Sequence, residues 1–354
     1  MIKITKHLRS AGRANPDSYL KNQADLYWDA LNPTKNGSYI STSLISAVQK
    51  YRDLADNLDE DYVCDYAGGD QFIALVQRDF FDEVLAGSAD LLRKIIVSPP
   101  ENLDLIKNDI KNRFPDEIFF TLNGAKKVQS GFGILLSETI FNYRKFRSSA
   151  FCLRYLQNLS FNEVYCPYCG DKSVELVGIT STRDEEHPEK ALLDLDHFFS
   201  KSEFPYLSIS LFNLIPCCHT CNSTYKLTKE FGLDTHIHPF AECFDEHFLF
   251  SIERTLHGRK VAISPSIPNA KDLSVSDFDL RTRYETKRKL LKIETDYKQR
   301  AKYRKPKDTK NFIDYMLKDV PLKQSEILSE CHGKAKRDIL RSIDVYNLLR
   351  PRIK

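Results

Sequence analysis

The chain has 354 residues, of which 42% are hydrophobic and 29% charged, and its net charge is +3. This composition is ordinary for a soluble globular protein, and a length of roughly 100–200 residues per domain predicts two or three domains. No stretch reaches the roughly 18 apolar residues of a membrane span, and the N-terminal segment lacks the apolar run of a signal peptide. We therefore expect a cytoplasmic protein without a membrane partner. In a reducing compartment its nine cysteines are expected to be thiols and metal ligands rather than disulfides.

The first 160 residues are predicted to be helical. Apolar residues recur three and four positions apart in STSLISAVQKYRDLADNL, GDQFIALVQRDFFDEVLAG and GILLSETIFNYRKFRSSAFCLRYLQNL, residues 41–58, 69–87 and 133–159. Clustered Cys, His, Asp and Asn then mark a central region at 161–247. This region includes a polar segment, STRDEEHPEK at 181–190, predicted to be a mobile loop. Two alternating runs at 248–264 predict a hairpin around His257-Gly258, and helices return from Ser276. The predicted fold class is α+β, predominantly α-helical, with an N-terminal helical domain (1–160), a central domain (161–247) and a C-terminal hairpin plus basic helical region (248–354).

The segment 281–310 carries a local net charge of +9, with thirteen Lys or Arg against four Asp or Glu. Such a basic helical block with interleaved tyrosines suits a nucleic-acid backbone, because each neutralised phosphate releases counterions. The pattern is equally typical of a solvated helix face, and the block alone does not decide between the two. The candidate nucleic-acid-binding residues are Arg283, Lys287, Arg288, Lys292, Arg300 and Arg304, and the interleaved tyrosines are Tyr284, Tyr297 and Tyr303.

Two CxxC pairs, Cys166/Cys169 and Cys218/Cys221, frame the central region. Each pair places two thiolates at the separation that a tetrahedral zinc ion needs, and four thiolates leave no open position for catalysis. The spacing therefore predicts one structural zinc ion, and the second pair makes a redox role for Cys218 and Cys221 weak. Cys217 could replace Cys218 as a ligand. The two-residue spacing favours Cys218 and leaves Cys217 as a small packed thiol.

Between the two pairs, an alternating strand-like run ends at Asp196-His197, and Asn213 and Asn222 follow. Here the sequence resembles the HNH endonucleases, whose ββα-metal fold places an Asp-His pair on the first strand of a hairpin, an Asn in the loop and a final His or Asn on the helix. More narrowly, CPYCG, LDHFFSKSEFPYLSISLFNLIPCCHTCN and IHPF resemble a branch of HNH proteins often associated with bacterial anti-phage defence. The resemblance covers about 80 residues, from Cys166 to about His247. Asn222 is a recognised variant of the third signature residue.

The resemblance implies a metal-dependent endonuclease that acts on DNA, and the chemistry of the residues agrees. Hydrolysis of a phosphodiester needs a base, and an imidazole with a pKa near 6.5 suits that task, so His197 is the predicted general base. The charge on the leaving oxygen calls for a hard cation such as Mg²⁺ or Mn²⁺, with Asp196 and Asn222 as its predicted oxygen ligands. Asn213 is predicted to orient the His197 ring or its loop. Lys226, one residue later than in the commonest spacing, is either a phosphate contact or a solvated helix lysine.

Several alternatives stay open at this point. His236, His238 and His247 are expected to pack around Pro239-Phe240, with His238 a further candidate for the site, since the zinc is already filled and magnesium prefers oxygen. The rival function is a non-catalytic zinc module that binds nucleic acid or a partner protein. Such a module needs four thiolates but not the Asp-His pair and the two Asn, so the sequence favours the enzyme. A nuclease controlled by a separate ATPase or sensor protein is a third alternative, for which the helical arms would be docking surfaces.

Overall fold

Helices dominate both ends of the chain, and the strands pair antiparallel in small sheets. The computed structural model describes residues 2–124, 126–182, 185–302 and 305–353. The predicted class, α+β with mainly helical structure, is confirmed. Among the described residues, no helix combines the length and the apolar character needed to cross a membrane.

Most helices of the first part of the chain begin where a short polar side chain accepts a backbone N–H group, as Ser43 does from Ser46 and Asp59 does from Tyr62. The predicted helix at 41–58 is confirmed as α3, and the one at 69–87 as the first part of α5. Helix α5 is interrupted at 86–89, where φ is positive from Gly87 to Ala89. These helices are α1 Ile4–Ser10, α2 Pro16–Leu31, α3 Leu44–Asp56, α4 Glu60–Ala67, α5 Gln71–Val97, α6 Pro100–Arg113, α7 Gly131–Ile134, α8 Tyr143–Arg147 and α9 Ala150–Asn158.

The third predicted helix, at 133–159, is not continuous. A π-helix, Leu135–Ile140, follows α7, and α8 and α9 then begin separately. Each new helix starts at a polar cap, because the side chain of Asn142 accepts the amide of Lys145 and that of Ser149 accepts the amide of Cys152. Apolar spacing alone did not reveal these restarts, since it continues on the buried side of each short helix.

The strands form one three-stranded sheet, β5-β6-β7, and four two-stranded pairs among the described residues. The hairpin predicted at 248–264 is confirmed as β10 and β11, which pair from Phe248↔Pro265 to Thr255↔Gly258. The loop predicted at 181–190 is wrong, because β6 and β7 pair through most of the described part of this segment. Backbone pairing needs no apolar side chains. The strands are β1 Thr34–Lys35, β2 Ser38–Tyr39, β3 Phe120–Asn123, β4 Lys126–Gln129, β5 Glu163–Tyr165, β6 Ser173–Thr182, β7 Glu185–Leu192, β8 Asp194–His197, β9 Leu214–Cys217, β10 Phe248–Thr255 and β11 Gly258–Pro265.

The C-terminal helices pack onto the central region. One contiguous cluster of buried side chains runs from Ile2 to Ile339, so the three predicted regions share a core. A smaller cluster around Tyr297 and Phe312 joins the last helices to one another. These helices are α10 Phe244–His247, α11 Leu273–Ser276, α12 Leu280–Glu285, α13 Arg288–Lys302, α14 Thr309–Leu317 and α15 Gly333–Ile343.

Candidate zinc centre and nuclease site

The cysteines of the two CxxC pairs converge on one buried point. The Sγ atoms of Cys166, Cys169, Cys218 and Cys221 all lie within 4.8 Å of one another, and those of Cys169 and Cys218 are 3.8 Å apart. Sulfurs that bind one zinc ion tetrahedrally at about 2.3 Å are separated by roughly 3.8 Å. The four thiols can therefore bind a metal ion, and their arrangement is compatible with structural zinc. Cys217 is buried outside this cluster, so the geometry favours Cys218 as the ligand.

Two tight turns bring the thiols together. In the first, the amide of Gly170 donates to the carbonyl of Cys166 (2.7 Å) with a φ of +62°, which glycine adopts without strain. In the second, the amide of Cys221 donates to the carbonyl of Cys218 (3.0 Å). The amide of Cys218 also points at Sγ of Cys166, 3.4 Å away. Such N–H···S contacts orient a sulfur ligand and stabilise its negative charge.

Arg283, on α12, faces this cluster rather than solvent. Its Nη1 donates to Sγ of Cys221 (3.5 Å) and to the carbonyl of Phe278 (3.1 Å), and the guanidinium lies 4.7 Å from the ring centre of Tyr225. The predicted contact between Arg283 and a nucleic-acid backbone is therefore wrong for this structure. A guanidinium beside four thiolates offsets part of their negative charge, which places Arg283 with the zinc centre.

The rest of the basic block divides between the interior and the surface. Lys287 is half-buried and donates to Oδ1 of Asp171 (2.7 Å), so it too is engaged within the protein. Tyr284 and Tyr297 are buried in the core, which corrects the prediction that they lie on a surface for a nucleic-acid backbone. Arg304 and Tyr303 lie outside the described residues. The candidates that remain exposed are Arg288, Lys292 and Arg300.

His197 ends β8, opposite Leu214 on β9. Its Nε2 lies 2.9 Å from the carbonyl oxygen of Ser208, and the ring meets that of Tyr143 edge to face with centres 4.6 Å apart. Burial lowers the pKa of His197 to about 4, so the ring is neutral at physiological pH. Because a carbonyl oxygen can only accept, Nε2 of the neutral ring carries the hydrogen and Nδ1 is the proton acceptor.

Asn213 closes the loop that connects β8 to β9. Its fully buried side chain accepts the amide of Phe199 (2.7 Å) and donates to the carbonyls of Phe199 (3.1 Å) and Leu207 (3.2 Å). Ser208, which follows Leu207 in the chain, supplies the carbonyl oxygen that binds Nε2 of His197. Two roles are predicted for Asn213, orienting the His197 ring or orienting its loop, and these hydrogen bonds favour the second.

Asp196 is buried, and its carboxylate binds an internal cation. Nζ of Lys226 donates to Oδ1 (2.7 Å) and Oδ2 (2.8 Å), and the hydroxyl of Tyr168 donates to Oδ2 (2.7 Å). Nζ also donates to the carbonyls of His197 and Phe198. The Lys226 side chain is 3% exposed, so neither a phosphate contact nor a solvated lysine describes it. It lies at the end of a π-helix, Thr220–Lys226, whose wide turn accommodates the extra residue between Asn222 and Lys226.

Asn222 is not paired with Asp196. Its Nδ2 donates to Oδ2 of Asp194 (3.0 Å), which also lies 3.0 Å from Nδ1 of His219 and 3.4 Å from Oγ of Ser223. A magnesium ion shared by Asp196 and Asn222 would need free oxygens from both. As placed, the Asp196 oxygens bind Lys226 and Tyr168, and the Asn222 amide faces Asp194. These residues therefore do not fit the predicted magnesium site.

The three further histidines are buried, and of the three His238 has the predicted packing against Phe240. His236 stacks on Phe231 with ring centres 3.8 Å apart and lies 3.0 Å from Asp277. His247 lies 3.0 Å from Glu242.

His238 lies closer to the candidate site than the other two. It is fully buried, 4.2 Å from Phe198 between ring centres, and its Nδ1 accepts the amide of Phe240. Burial lowers its pKa to about 3. His238 therefore supports the loop after His197 as a neutral packing group.

Sequence reasoning missed Tyr168 and Asp194. Tyr168 lies inside the first CxxC pair and reaches Asp196, which ties the zinc centre to the candidate nuclease site. Asp194 organises the donors around Asn222. A signal for Asp194 was present, because residues two apart on a strand share a face, and Asp194 and Asp196 are so spaced.

The chain has no match among known protein families, curated proteins or solved structures. Its function must therefore be argued from its own residues and from the resemblance of its motifs.

Proposed function

We propose that this chain is an endonuclease of the HNH type that hydrolyses phosphodiester bonds in DNA. The observation that carries the proposal is the position of His197, at the end of the first strand of a strand–loop–strand–helix unit, with Nδ1 as its proton acceptor. Asn213 in the loop and Asn222 on the helix follow in the order that the HNH motifs have. Two cysteines of the cluster, Cys218 and Cys221, lie where the second strand of this unit meets its helix. Incubation of the purified protein with supercoiled plasmid, with divalent metal or with EDTA, tests the proposal.

The proposed chemistry begins with a water molecule between His197 and the phosphate. As the water oxygen bonds to phosphorus, Nδ1 of His197 takes one of its protons, and the bond between phosphorus and the leaving sugar oxygen breaks. That oxygen departs with the bonding electrons and takes a proton from solvent. The Ser208 carbonyl holds Nε2–H, which keeps the ring oriented and stabilises the imidazolium that forms. Asn213 acts through the loop: its bond to the Leu207 carbonyl fixes the residue before Ser208. No step is assigned to a divalent metal, because the Lys226 ammonium already fills the Asp196 carboxylate.

Replacing Lys226 by methionine tests what holds Asp196. The substitution keeps an unbranched side chain of nearly the same length but leaves a buried carboxylate without its cation. Breaking a buried pair in this way costs about 3–5 kcal/mol. We expect Lys226→Met to lower the free energy of unfolding by that amount, measured by urea denaturation. Asp196→Asn added to Lys226→Met should restore much of this stability, because the buried charge is then gone.

The same variants report on cation binding at Asp196. If the site accepts a divalent ion once Lys226 is removed, Mn²⁺ should stabilise Lys226→Met more than it stabilises the wild type or the double variant. Equal stabilisation of all three proteins by Mn²⁺ would show that Asp196 is not a metal ligand. A Lys226→Met protein as stable as wild type would contradict the buried ion pair itself.

A second candidate function is a non-catalytic zinc module that binds nucleic acid or a partner protein. The observation that favours it is the pairing of Asp196 with Lys226, which removes the predicted oxygen ligands from a shared metal ion. Binding of DNA without cleavage under any divalent metal distinguishes this function from the nuclease. The link to anti-phage defence, the ATPase or sensor partner and the cytoplasmic location stay predictions from the sequence.

The exposed part of the basic block is expected to supply non-specific DNA affinity. Charge reversal at Arg288, Lys292 and Arg300 should weaken binding and reduce the salt slope by about 0.9 for each phosphate that the protein no longer neutralises. Binding is measured over a range of salt concentrations in EDTA. Reversal of three exposed lysines outside the block, Lys35, Lys50 and Lys94, is the matched control. If the two triple variants change the salt slope equally, the block has no special role in DNA binding and is only a solvated helix face.

A further inference from the structure

A second cluster of reactive groups lies behind the first CxxC pair. Sγ of Cys331 is 3.3 Å from Nδ1 of His332, and Nε2 of His332 is 2.7 Å from Oδ1 of Asp171. A thiol, an imidazole and a carboxylate thus stand in series. This is the order in which a base activates a nucleophile and a third group orients the base. None of the three takes part in the proposed nuclease chemistry.

The fold fixes the imidazole of His332 in this arrangement. His332 immediately precedes α15 with φ +55° and ψ +27°, and its amide donates to the carbonyl of Gly170 (2.7 Å). Its ring packs edge to face against Tyr284, with centres 5.3 Å apart, and is 7% exposed. Asp171 is held in turn by Lys287, 2.7 Å from the same Oδ1. The ring therefore cannot turn away from Cys331 without breaking several contacts.

The contacts also decide which ring nitrogen faces the thiol. Oδ1 of the ionised Asp171 accepts the hydrogen on Nε2, so the lone pair on Nδ1 of His332 points to the Cys331 thiol. Transfer of the thiol proton to Nδ1 gives a thiolate beside an imidazolium, with the Asp171 carboxylate on its far side. Burial lowers the pKa of His332, but the bonds to Asp171 and Cys331 outweigh it, and the pKa lies above its ordinary value.

Cys331 and His332 border an open cavity of about 440 Å³ between α13, α14 and α15. The lining has an excess of positive charge, with four lysines against two aspartates. This excess favours small anionic molecules over neutral ones. The charged residues of the lining are Lys289, Lys292, Lys318, Lys336, Asp296 and Asp319.

We propose that Cys331 is a modification site, a thiol activated by His332 and Asp171 that reacts with small anionic electrophiles entering through the lysine-lined cavity. In the reaction, the Cys331 proton passes to Nδ1 of His332. The thiolate then attacks the electrophilic carbon and forms an S–C bond, while the leaving group departs with the electrons of its own bond. No oxidant or further reactant is needed.

Site-resolved alkylation of the zinc-loaded, full-length protein tests this proposal. Iodoacetamide and iodoacetate are added at neutral pH, and the modified peptides are quantified by mass spectrometry over time. Cys64 is the internal reference, because it is exposed on α4. Cys331 is less exposed than Cys64. We nevertheless expect Cys331 to react about tenfold faster, because a thiol without a neighbouring base is only a few per cent thiolate at neutral pH.

Two variants separate the base from the cavity charge. His332→Asn should bring the Cys331 rate down to that of Cys64 without changing zinc content, and asparagine tolerates the left-handed backbone at this position. The double variant Lys289→Gln/Lys318→Gln should slow iodoacetate more than iodoacetamide at Cys331. Both lysines are exposed, so this variant stays informative if His332→Asn does not fold.

Three results would overturn the proposal. The first is a Cys331 rate no faster than that of Cys64. The second is a Cys331 rate that His332→Asn leaves unchanged. The third is a Cys331 thiol that reacts only after a chelator has removed a second zinc ion from each chain. The last result would assign Asp171, Cys331 and His332 to a metal site instead. A weaker iodoacetate preference in the lysine variant supports the role of the cavity, and an unchanged preference contradicts it.

Discussion

Replacing Cys166 by serine should remove the bound zinc and unfold the region built on the two CxxC pairs. Structural zinc contributes about 10–16 kcal/mol of apparent binding free energy in small zinc-binding peptides at neutral pH, and this free energy is folding free energy. Here the cluster joins the turn after β5 to the turn after β9, and it lies within the shared core. We expect zinc content to fall from one ion per chain to none, and proteolysis to become rapid between residues 161 and 247.

The position of Cys217 provides a matched control for this experiment. Cys217 is as deeply buried as Cys218 but lies outside the cluster, so Cys217→Ser should keep its zinc and Cys218→Ser should lose it. Elemental analysis of the purified proteins measures both. A folded Cys166→Ser protein without zinc would refute the structural role, and loss of zinc from Cys217→Ser alone would move the ligand by one residue.

Replacing His197 by alanine should lower plasmid cleavage by about 10²–10⁴-fold, the usual contribution of a positioned general base. Zinc content should not change, because His197 lies outside the cysteine cluster, and DNA affinity should stay close to that of wild type. His257→Ala, in the exposed turn between β10 and β11, is the matched control and should cleave at the wild-type rate. Full activity in His197→Ala would remove the ring from the mechanism.

The pH dependence of cleavage should follow the protonation of the same ring. The base must be neutral, and the pKa of His197 is lowered to about 4, so the neutral fraction stays high down to about pH 5 and falls below it. A histidine at its ordinary pKa of about 6.5 would lose this fraction already near neutrality. We expect the cleavage rate to have its acid limb near pH 4 in the range where the protein stays folded. A fall in the cleavage rate near pH 6.5 would show that the His197 ring is more exposed to solvent during catalysis than it is in this structure.

The cysteine cluster and strand β8 could be predicted from the sequence, because local residue spacing determines both. A CxxC pair imposes its own turn, and two such pairs leave few alternatives to a shared ion. The alternation that ends at His197 predicts β8 in the same way. The choice of Cys218 over Cys217 also followed from spacing alone, because Cys218 and Cys221 have the same CxxC spacing as the first pair.

The partners of the charged side chains could not be predicted, because tertiary contacts determine them. Lys226 and Asp196 are 30 residues apart, and nothing in the local pattern joins them. Arg283 belongs by composition to a basic surface, yet α12 turns it onto the zinc cluster. The density of charge along the sequence therefore predicted a larger nucleic-acid-binding surface than the fold leaves exposed. Motif spacing predicted Asp196 as a metal ligand, whereas in the fold its carboxylate binds Lys226.

The most direct measurement of the central claim is conversion of supercoiled plasmid by the wild-type protein at neutral pH, beside His197→Ala purified in the same way. The proposed nuclease predicts open-circle or linear DNA with wild type and almost none with the variant, at equal zinc content. Equal cleavage by both preparations would point to a contaminating enzyme. Intact plasmid with both, under every divalent metal, at protein concentrations that bind the DNA, would contradict the nuclease and favour the zinc binding module.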